Sequence, residues 1–358
     1  MSLYIDIEKT FPGFKLSGFK LSVRMECGNE TVALLGGSGC GKSLTLKCIA
    51  GIVKPDKGRI VINGETVFDS EQRINLPPQK RNVGYLFQNY ALFPHMTVWN
   101  NIASVIKKPR NERADITAHA INLFHLDSIK KLYPHQISGG QQQRAALARM
   151  LVSEPKILLL DEPFSALDTH LKWKIEQELA SVLEAFHGTA VLVSHDRGEA
   201  YRLCGRIAVM DKGEIEPIRT KEEVFGSPRT LAAALITGCK NISKAEKLGE
   251  YQVKALDWGI SLRTKHRVPD NVKYVGVRAH HFQRVSNLIK GENIFQCGIR
   301  KIVDEPFEKI AEFYFVPEAE NKNTLYFIFL GENTAEHDLK EFSLFVPPDK
   351  IICLEEDT

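Results

Sequence analysis

The most constraining feature of this sequence is a glycine-rich run that fits the pattern GxxxxGK[ST]. It consists of Gly36, Gly37, Ser38, Gly39, Cys40, Gly41, Lys42 and Ser43. An apolar strand is predicted just before it, at residues 31–35, and a helix from about Lys42. In such a loop the backbone N–H groups turn toward phosphates, the lysine reaches the β and γ oxygens, and the serine hydroxyl ligates Mg²⁺. The alternative, an ordinary glycine-rich turn, is disfavoured by the flanking strand and helix.

A pair of carboxylates follows a second apolar strand. Residues 157–160 run directly into Asp161 and Glu162. Because ligands of open α/β sheets gather at the carboxyl ends of strands, we expect Asp161 near the Mg²⁺ and Glu162 near the γ-phosphate, polarising the attacking water. Taken alone, an acidic strand end is more often a solvated helix cap. The phosphate-binding loop makes ATP hydrolysis the better interpretation.

The order of segments predicts two domains. Up to about residue 219, short apolar strands alternate with helical segments, which is typical of an α/β domain with a largely parallel sheet. Residues 31–35, 157–160 and 190–194 are almost continuously apolar, as strands covered on both faces are. Beyond a hinge near residues 236–240 the chain becomes rich in β segments. We expect domains at 1–238 and 239–358, the second all-β.

Two further segments narrow the class of nucleotide hydrolase. Ser138, Gly139, Gly140 and Gln141 begin the run SGGQQQR, at the start of a helix predicted to Val152. The N-terminal amides of that helix can serve a second phosphate. His195 follows the strand at 190–194, although a lone histidine is often a satisfied core residue.

These segments resemble the signature motif and the switch histidine of the ATP-binding-cassette (ABC) ATPases. The resemblance implies a P-loop core with antiparallel β and helical subdomains, the helical one at about 89–150. It also implies a homodimer that clamps two ATP molecules, in which the signature residues of one copy reach the γ-phosphate held by the other. Asp168 lies in a stretch that resembles the dimer-contact loop of the family, and its alternative is a helix N-cap.

The stretch around Gln88 points to transport. It resembles the glutamine loop that, in this family, links Mg²⁺ and the attacking water to a transmembrane partner, and its neighbourhood resembles importer ATPases. The residues that follow include Tyr90, Leu92, Phe93 and Met96, which we expect to be exposed and to receive a short helix of another protein. A core role for these side chains is the alternative.

The adenine base needs a partner of its own. Phe11 and Phe14 are the candidates, and Phe11 is favoured because family members carry an aromatic residue just after the first strand; either could instead be core. Leu44 completes the predicted nucleotide site after the loop. We expect Lys42 and the loop amides to lower the pKa of Cys40.

Net charge identifies no partner, whereas the cysteines indicate a compartment. The net charge of +3 does not indicate nucleic acid binding, and seven scattered cysteines suit reduced thiols in the cytosol. No apolar run reaches the length of a membrane-spanning helix. The resemblance therefore implies a peripheral protein at the cytoplasmic face of the membrane, with two permease subunits and, indirectly, a solute-binding protein.

The second domain resembles the oligonucleotide-binding-like (TOBE) domain of importer ATPases, closest to those for molybdate and sulfate. Arg278, His280 and His281 are candidate ligands of a regulatory oxyanion, and a solvated basic edge is the alternative. Sugar, polyamine and iron importers remain alternatives for the solute. A soluble ABC ATPase that acts on DNA or ribosomes would be a different class of protein, and so would a binder of ATP that does not hydrolyse it. Glu162 argues against the last.

Overall fold

The computed structural model describes residues 2–12, 18–165, 169–286, 291–306, 308–316, 324–329 and 341–355. Its internal contacts divide the chain into two units, Met1–Lys221 and Glu222–Thr358. No helix in these ranges is long and apolar enough to span a membrane.

The first unit contains a twelve-stranded sheet with helices. Its strands, in chain order, are β1 Leu3–Phe11, β2 Phe19–Cys27, β3 Thr31–Gly36, β4 Lys57–Ile62, β5 Glu65–Asp69, β6 Ile74–Asn75, β7 Val83–Leu86, β8 Ile157–Asp161, β9 Thr189–Ser194, β10 Arg206–Asp211, β11 Glu214–Ile215 and β12 Arg219–Thr220. Its helices are α1 Lys42–Ala50, α2 Val98–Ala103, α3 Arg110–Leu123, α4 Gly139–Leu151, α5 Thr169–Ala185 and α6 Arg197–Leu203. The α2, α3 and α4 helices fall in the predicted helical segment at 89–150.

The sheet has a parallel half and an antiparallel half. Strands β10, β3, β9, β8 and β7 are neighbours and run parallel, whereas β6, β5, β4, β1 and β2 pair antiparallel. All residues of β8 and β9 are buried, because these central strands are covered on both faces. The three predicted core strands are confirmed to within one residue at each end. Their carboxyl ends lie at one edge, where β3, β9 and β8 deliver their loops side by side.

The second unit begins in helix α7 Lys221–Gly226 and continues through α8 Leu231–Ile236 into β strands. The strands are β13 Asn241–Gly249, β14 Gln252–Ala255, β15 Ile260–Arg263, β16 Tyr274–Val277, β17 Gln283–Val285, β18 Ile294–Asp304, β19 Lys309–Phe315, β20 Leu325–Phe329, β21 Glu341–Phe345 and β22 Ile352–Leu354. They form two five-stranded antiparallel sheets, ordered β15-β14-β13-β16-β22 and β17-β21-β18-β19-β20. Val275, Phe282, Phe313 and Leu344 lie in one buried apolar cluster that draws on both sheets.

The predicted fold class, a P-loop α/β core followed by a small all-β part, is confirmed. The contacts divide the chain after Lys221, whereas the sequence pattern places the boundary after residue 238. Arg278, which is 7% exposed, explains the difference between the two boundaries. Its guanidinium donates to the carbonyl of Phe225 at 2.5 Å and to that of Thr237 at 2.7 Å. Through these hydrogen bonds the C-terminal ends of α7 and α8 are tied to a residue of the β-rich unit.

Candidate functional site

The phosphate-binding loop connects β3 to α1, as predicted. Gly39 and Gly41 have φ of 80° and 114°, in the region that favours glycine. At Gly36 a Cβ would lie 2.4 Å from the carbonyl oxygen of Met210, so only glycine fits. Helix α1 begins at Lys42, directly after Gly41. The loop therefore brings backbone amides and a helix N-terminus to one place, the arrangement that binds phosphate groups.

Lys42 is held inside this loop. Its side chain is 5% exposed, and Nζ donates to the carbonyl oxygens of Gly36 at 2.9 Å and Gly37 at 2.8 Å. These contacts fix the ammonium group on the inner face of the loop. A cation in this position attracts phosphate oxygens strongly because it is shielded from water.

Asp161 accepts two hydrogen bonds at the carboxyl end of β8. Ser43 Oγ donates to its Oδ1 at 2.7 Å, and the hydroxyl of Tyr85 donates to its Oδ2 at 2.8 Å. Burial, and secondly the charge of Asp161, raise the pKa of Tyr85 well above its usual value, which keeps it a donor. The Ser43 hydroxyl and the Asp161 carboxylate are hard oxygen ligands, which Mg²⁺ prefers. Ser43 and Asp161 thus lie in direct contact at the carboxyl end of β8.

Glu162 and His195 follow neighbouring strands. Glu162 Oε1 lies 3.5 Å from His195 Nδ1, and the Glu162 amide donates to the carbonyl of Val193 at 3.0 Å. Glu162 has φ of 46°, a backbone conformation that non-glycine residues adopt rarely and that is concentrated at functional sites. The side chain of His195 is 62% exposed, which rules out the alternative of a satisfied core histidine.

The turn after His195 is fixed by charged groups. Asp196 caps α6 by accepting from the amides of Gly198 and Glu199. Lys172 on α5 pairs with Asp196 at 2.7 Å and with Glu199 at 2.6 Å. The histidine therefore projects from a backbone that its neighbours hold in place.

A cavity of about 470 Å³ lies between the phosphate-binding loop, Glu162 and the β1–β2 pair. It is lined by two aromatic residues, the loop and Glu162, namely Phe11, Gly18, Phe19, Ser38, Gly39, Gly41, Lys42, Ser43, Leu44, Lys47 and Glu162. Phe11 and Phe19 are direct partners in the β1–β2 register. Phe11 thus lies where an adenine partner is expected, whereas Phe14 lies outside the described residues.

Phe19 and Tyr85 are site residues that the sequence pattern did not predict. Phe19 could have been found by pairing β1 with β2, because that pairing sets it opposite Phe11. No local pattern marks Tyr85, which faces Asp161 only because β7 and β8 are neighbours.

The expectation for Cys40 was wrong. Burial raises the pKa of its thiol, and this outweighs the lowering effect of Lys42, whose Nζ lies 3.8 Å from the sulfur. Cys40 points into the protein, where its sulfur lies 2.7 Å from the position that a Cβ on Gly36 would take. Its side chain therefore packs beneath the loop as a neutral thiol.

The signature residues open α4, as predicted. Ser138 is the N-cap: its Oγ accepts from the Gln141 amide at 3.4 Å, and Gln141 Oε1 accepts from the Ser138 amide at 2.9 Å. Ser138 and Gly139 are exposed, whereas Gly140 is buried. None of residues 138–141 is among the described residues that line the cavity. The capping box uses the amides of Ser138 and Gln141, and Ser138 and Gly139 form the exposed start of the helix. Asp168 lies outside the described residues.

Gln88 is exposed and follows β7 by two residues. Of the apolar residues after it, Phe93 is 42% exposed and Leu92 and Met96 are half-buried. The expectation that Tyr90 is exposed was wrong, because its ring is 5% exposed and anchors the segment from within.

Two of the three residues suggested as oxyanion ligands in the second unit, Arg278 and His281, have another role or no charge near pH 7. The guanidinium of Arg278 is buried and donates to Phe225, to the Thr237 carbonyl and, at 2.9 Å, to Thr237 Oγ1. Burial, followed by the charge of His280, lowers the pKa of His281 to about 4, so this imidazole is neutral near pH 7. Arg278 thus serves the local structure, and His281 offers no cation.

Comparisons with known proteins agree with this geometry. A family model described as "ABC transporter" matches residues 19–165. The sulfate/thiosulfate import ATP-binding protein of Pseudomonas syringae pv. tomato is 45% identical over 231 residues, covering 62% of this chain and 68% of that protein. The putrescine transport ATP-binding protein of Escherichia coli is 43% identical over 216 residues, covering 60% and 56%.

A solved structure is similar as well. It is described as a dimeric, post-hydrolysis state of an ATP-binding cassette bound to ADP and Pi. The similarity has a TM-score of 0.53 at 29% identity, and it covers 62% of this chain and 99% of that one.

Proposed function

Because this chain belongs to the ABC transporter family, we propose that it is the ATP-binding and ATP-hydrolysing subunit of an importer for a small oxyanion, with sulfate the first candidate. The observation that carries the ATPase assignment is the set of contacts at one sheet edge. Ser43 touches Asp161, and Glu162 lies beside His195 and lines the same cavity as the phosphate-binding loop. These are the groups that phosphoryl transfer to water requires.

Each residue has a distinct task in the proposed reaction. Lys42 and the amides of residues 36–43 hold the β- and γ-phosphates, and Phe11 with Phe19 stacks on the adenine. Glu162 orients the attacking water and accepts its proton, while His195 and Gln88 contact the γ-phosphate and that water. Ser43, Asp161 and Gln88 would hold Mg²⁺, which supplies charge neutralisation at the phosphates when bound.

Two copies are needed for the complete site. We propose that residues 138–141 of one copy approach the γ-phosphate bound by the other copy, with Asp168 in the dimer contact. Support comes from the exposed, capped N-terminus of α4 and from its absence among the described residues of the cavity lining. The dimeric state of the similar cassette agrees with this arrangement.

The partners follow from the importer assignment. We propose two permease subunits that dock on the surface after Gln88, at the cytoplasmic face of the membrane, with a solute-binding protein acting through them. We propose a cassette at residues 1–238 and an accessory domain at residues 239–358; residues 222–238 join the two in sequence and belong to the second contact unit. No nucleic acid is involved in this proposal.

Uptake measurements test the solute. In a bacterial strain that lacks its own sulfate importer ATPase but keeps the permeases, expression of this chain should restore uptake of radioactive sulfate, and its Glu162→Gln variant should not. A parallel strain lacking its polyamine importer ATPase tests putrescine, because polyamine relatives are nearly as similar, 43% against 45% identity. Restored putrescine uptake without sulfate uptake would mean that the transported solute is a polyamine and not an oxyanion.

A further inference from the structure

Arg149 stands near the end of α4, the helix that the signature residues begin. Its guanidinium donates to the carbonyl oxygens of Tyr90 at 3.2 Å and Ala91 at 2.9 Å, and to Asn101 Oδ1 at 3.2 Å. It also lies over the ring of Phe93, 5.2 Å from the centroid. Three hydrogen bonds and a cation–π contact tie one side chain to the segment that follows Gln88.

That segment has a backbone that needs support. Tyr90 and Ala91 both have positive φ, 59° and 43°. Each such non-glycine residue costs free energy and persists only when its surroundings hold it. The carbonyls of Tyr90 and Ala91 are the groups that Arg149 binds, so the arginine stabilises this conformation directly.

Asn101 on α2 holds the other end of the segment. Its side chain is fully buried, accepts from the Phe93 amide at 2.8 Å, and donates to the carbonyls of Phe93 and Met96, each at 3.1 Å. Since Arg149 also donates to Asn101, the two side chains form one clamp around residues 89–97. We call it the Arg149–Asn101 clamp.

The clamp lies at one end of a rigid element and the signature residues at the other. Helix α4 has 13 residues and is therefore about 20 Å long. A helix of this length moves as a unit, so a shift of its N-terminus also moves Arg149. The carbonyls bound by Arg149 would move with it.

We propose that Arg149 is a positioning residue that couples the signature end of α4 to the segment 89–97. The proposal rests on the proposed function, in which residues 138–141 engage the nucleotide of the partner copy and residues 89–97 face the permease. Engagement of ATP shifts α4, and the Arg149–Asn101 clamp carries that shift to the surface that the permease contacts.

Hydrogen–deuterium exchange of the full-length protein tests this coupling. The background is the Glu162→Gln variant with and without Mg·ATP, compared with the same background carrying Arg149→Gln, Arg149→Lys or Arg144→Gln. Arg144 is the matched control, because it lies on the same helix but pairs with Glu178 on α5 at 3.9 Å. Exchange is followed separately in residues 138–142 and 89–97.

In the parent and in Arg144→Gln, ATP should slow exchange in both segments, by about fivefold or more. In Arg149→Gln, residues 138–142 should still respond to ATP, whereas residues 89–97 should exchange fast with and without it. Arg149→Lys keeps the charge but cannot reach both carbonyls. It serves as the test if Arg149→Gln does not fold, and should likewise keep the ATP response of residues 138–142 and lose that of residues 89–97.

An ATP response in residues 89–97 of the Arg149 variants equal to that of the parent would overturn the coupling role. Loss of the ATP response of residues 89–97 in Arg144→Gln as well would also overturn the coupling role. Any damage to α4 would then be enough to abolish that response. If residues 138–142 fail to respond even in the parent, the proposed dimer fails, and the coupling falls with it.

Discussion

Glu162 Oε1 and His195 Nδ1 lie 3.5 Å apart at the ends of two adjacent parallel strands. The two residues are far apart in the sequence, and the pairing of β8 with β9 brings them together. The first of them also lines the cavity of the phosphate-binding loop. This contact brings the proposed base next to the histidine and is the structural reason for proposing them as one catalytic unit.

Tyr85→Phe tests the contact that the sequence pattern did not predict. Removing the hydroxyl deletes the 2.8 Å hydrogen bond to Asp161 and leaves this carboxylate less restrained. A hydrogen bond of this kind is worth about 1 kcal/mol, so the Mg²⁺ concentration for half-maximal ATP hydrolysis should rise about fivefold. Tyr4→Phe on β1 is the control and should leave it unchanged. An unaltered Mg²⁺ dependence in Tyr85→Phe would remove Tyr85 from the site.

Phe11→Ala and Phe19→Ala test adenine stacking. Stacking of a base on an aromatic ring is worth about 1–3 kcal/mol, so each variant should weaken ATP binding by about tenfold in calorimetry. Inorganic triphosphate, which lacks the base, is the control ligand and should bind all three proteins equally. Equal loss for ATP and triphosphate would mean that the variants damage the loop instead.

Cys40 should react slowly with a maleimide. Burial raises the pKa of its thiol, so the reactive thiolate is scarce at pH 7 and increases as the pH rises through and beyond the ordinary thiol range. We expect labelling of Cys40 in the folded protein at pH 7 to be at least about tenfold slower than that of a cysteine peptide, and to accelerate up to about pH 10. Mass spectrometry against a Cys40→Ser control measures it. Labelling faster than the peptide at pH 7 would contradict the neutral, packed thiol.

Arg278→Lys should destabilise the second unit without changing ATP hydrolysis. A lysine cannot replace the three hydrogen bonds that Arg278 donates to Phe225 and Thr237. The loss of buried hydrogen bonds should lower the free energy of unfolding by about 1–3 kcal/mol, measured by urea titration. Arg263→Lys is the control, since the side chain of Arg263 is 61% exposed and pairs at the surface with Glu292. Full stability of Arg278→Lys would contradict the structural role of the guanidinium.

The sequence determines the motif-bearing strands because their apolar runs are continuous and end in polar residues. Strands β3, β8 and β9 and the positions of Lys42, Asp161 and Glu162 follow from this pattern alone. Contacts across the sheet do not follow from the local pattern, because strand order is a tertiary property. The site roles of Tyr85 and Phe19 were missed for that reason. Burial is equally non-local, which is why the expected exposure of Tyr90 and the expected acidity of Cys40 were both wrong.

In the proposed dimer, two copies close on ATP through Lys42 of one and Ser138 of the other. Light scattering of the Glu162→Gln protein measures this most directly, with Mg·ATP, with Mg·ADP and without nucleotide. We expect twice the monomer mass with ATP only, and a monomer with ATP when Ser138→Arg is added to Glu162→Gln. A monomer in all conditions, or a dimer that the added Ser138→Arg leaves intact, would contradict it.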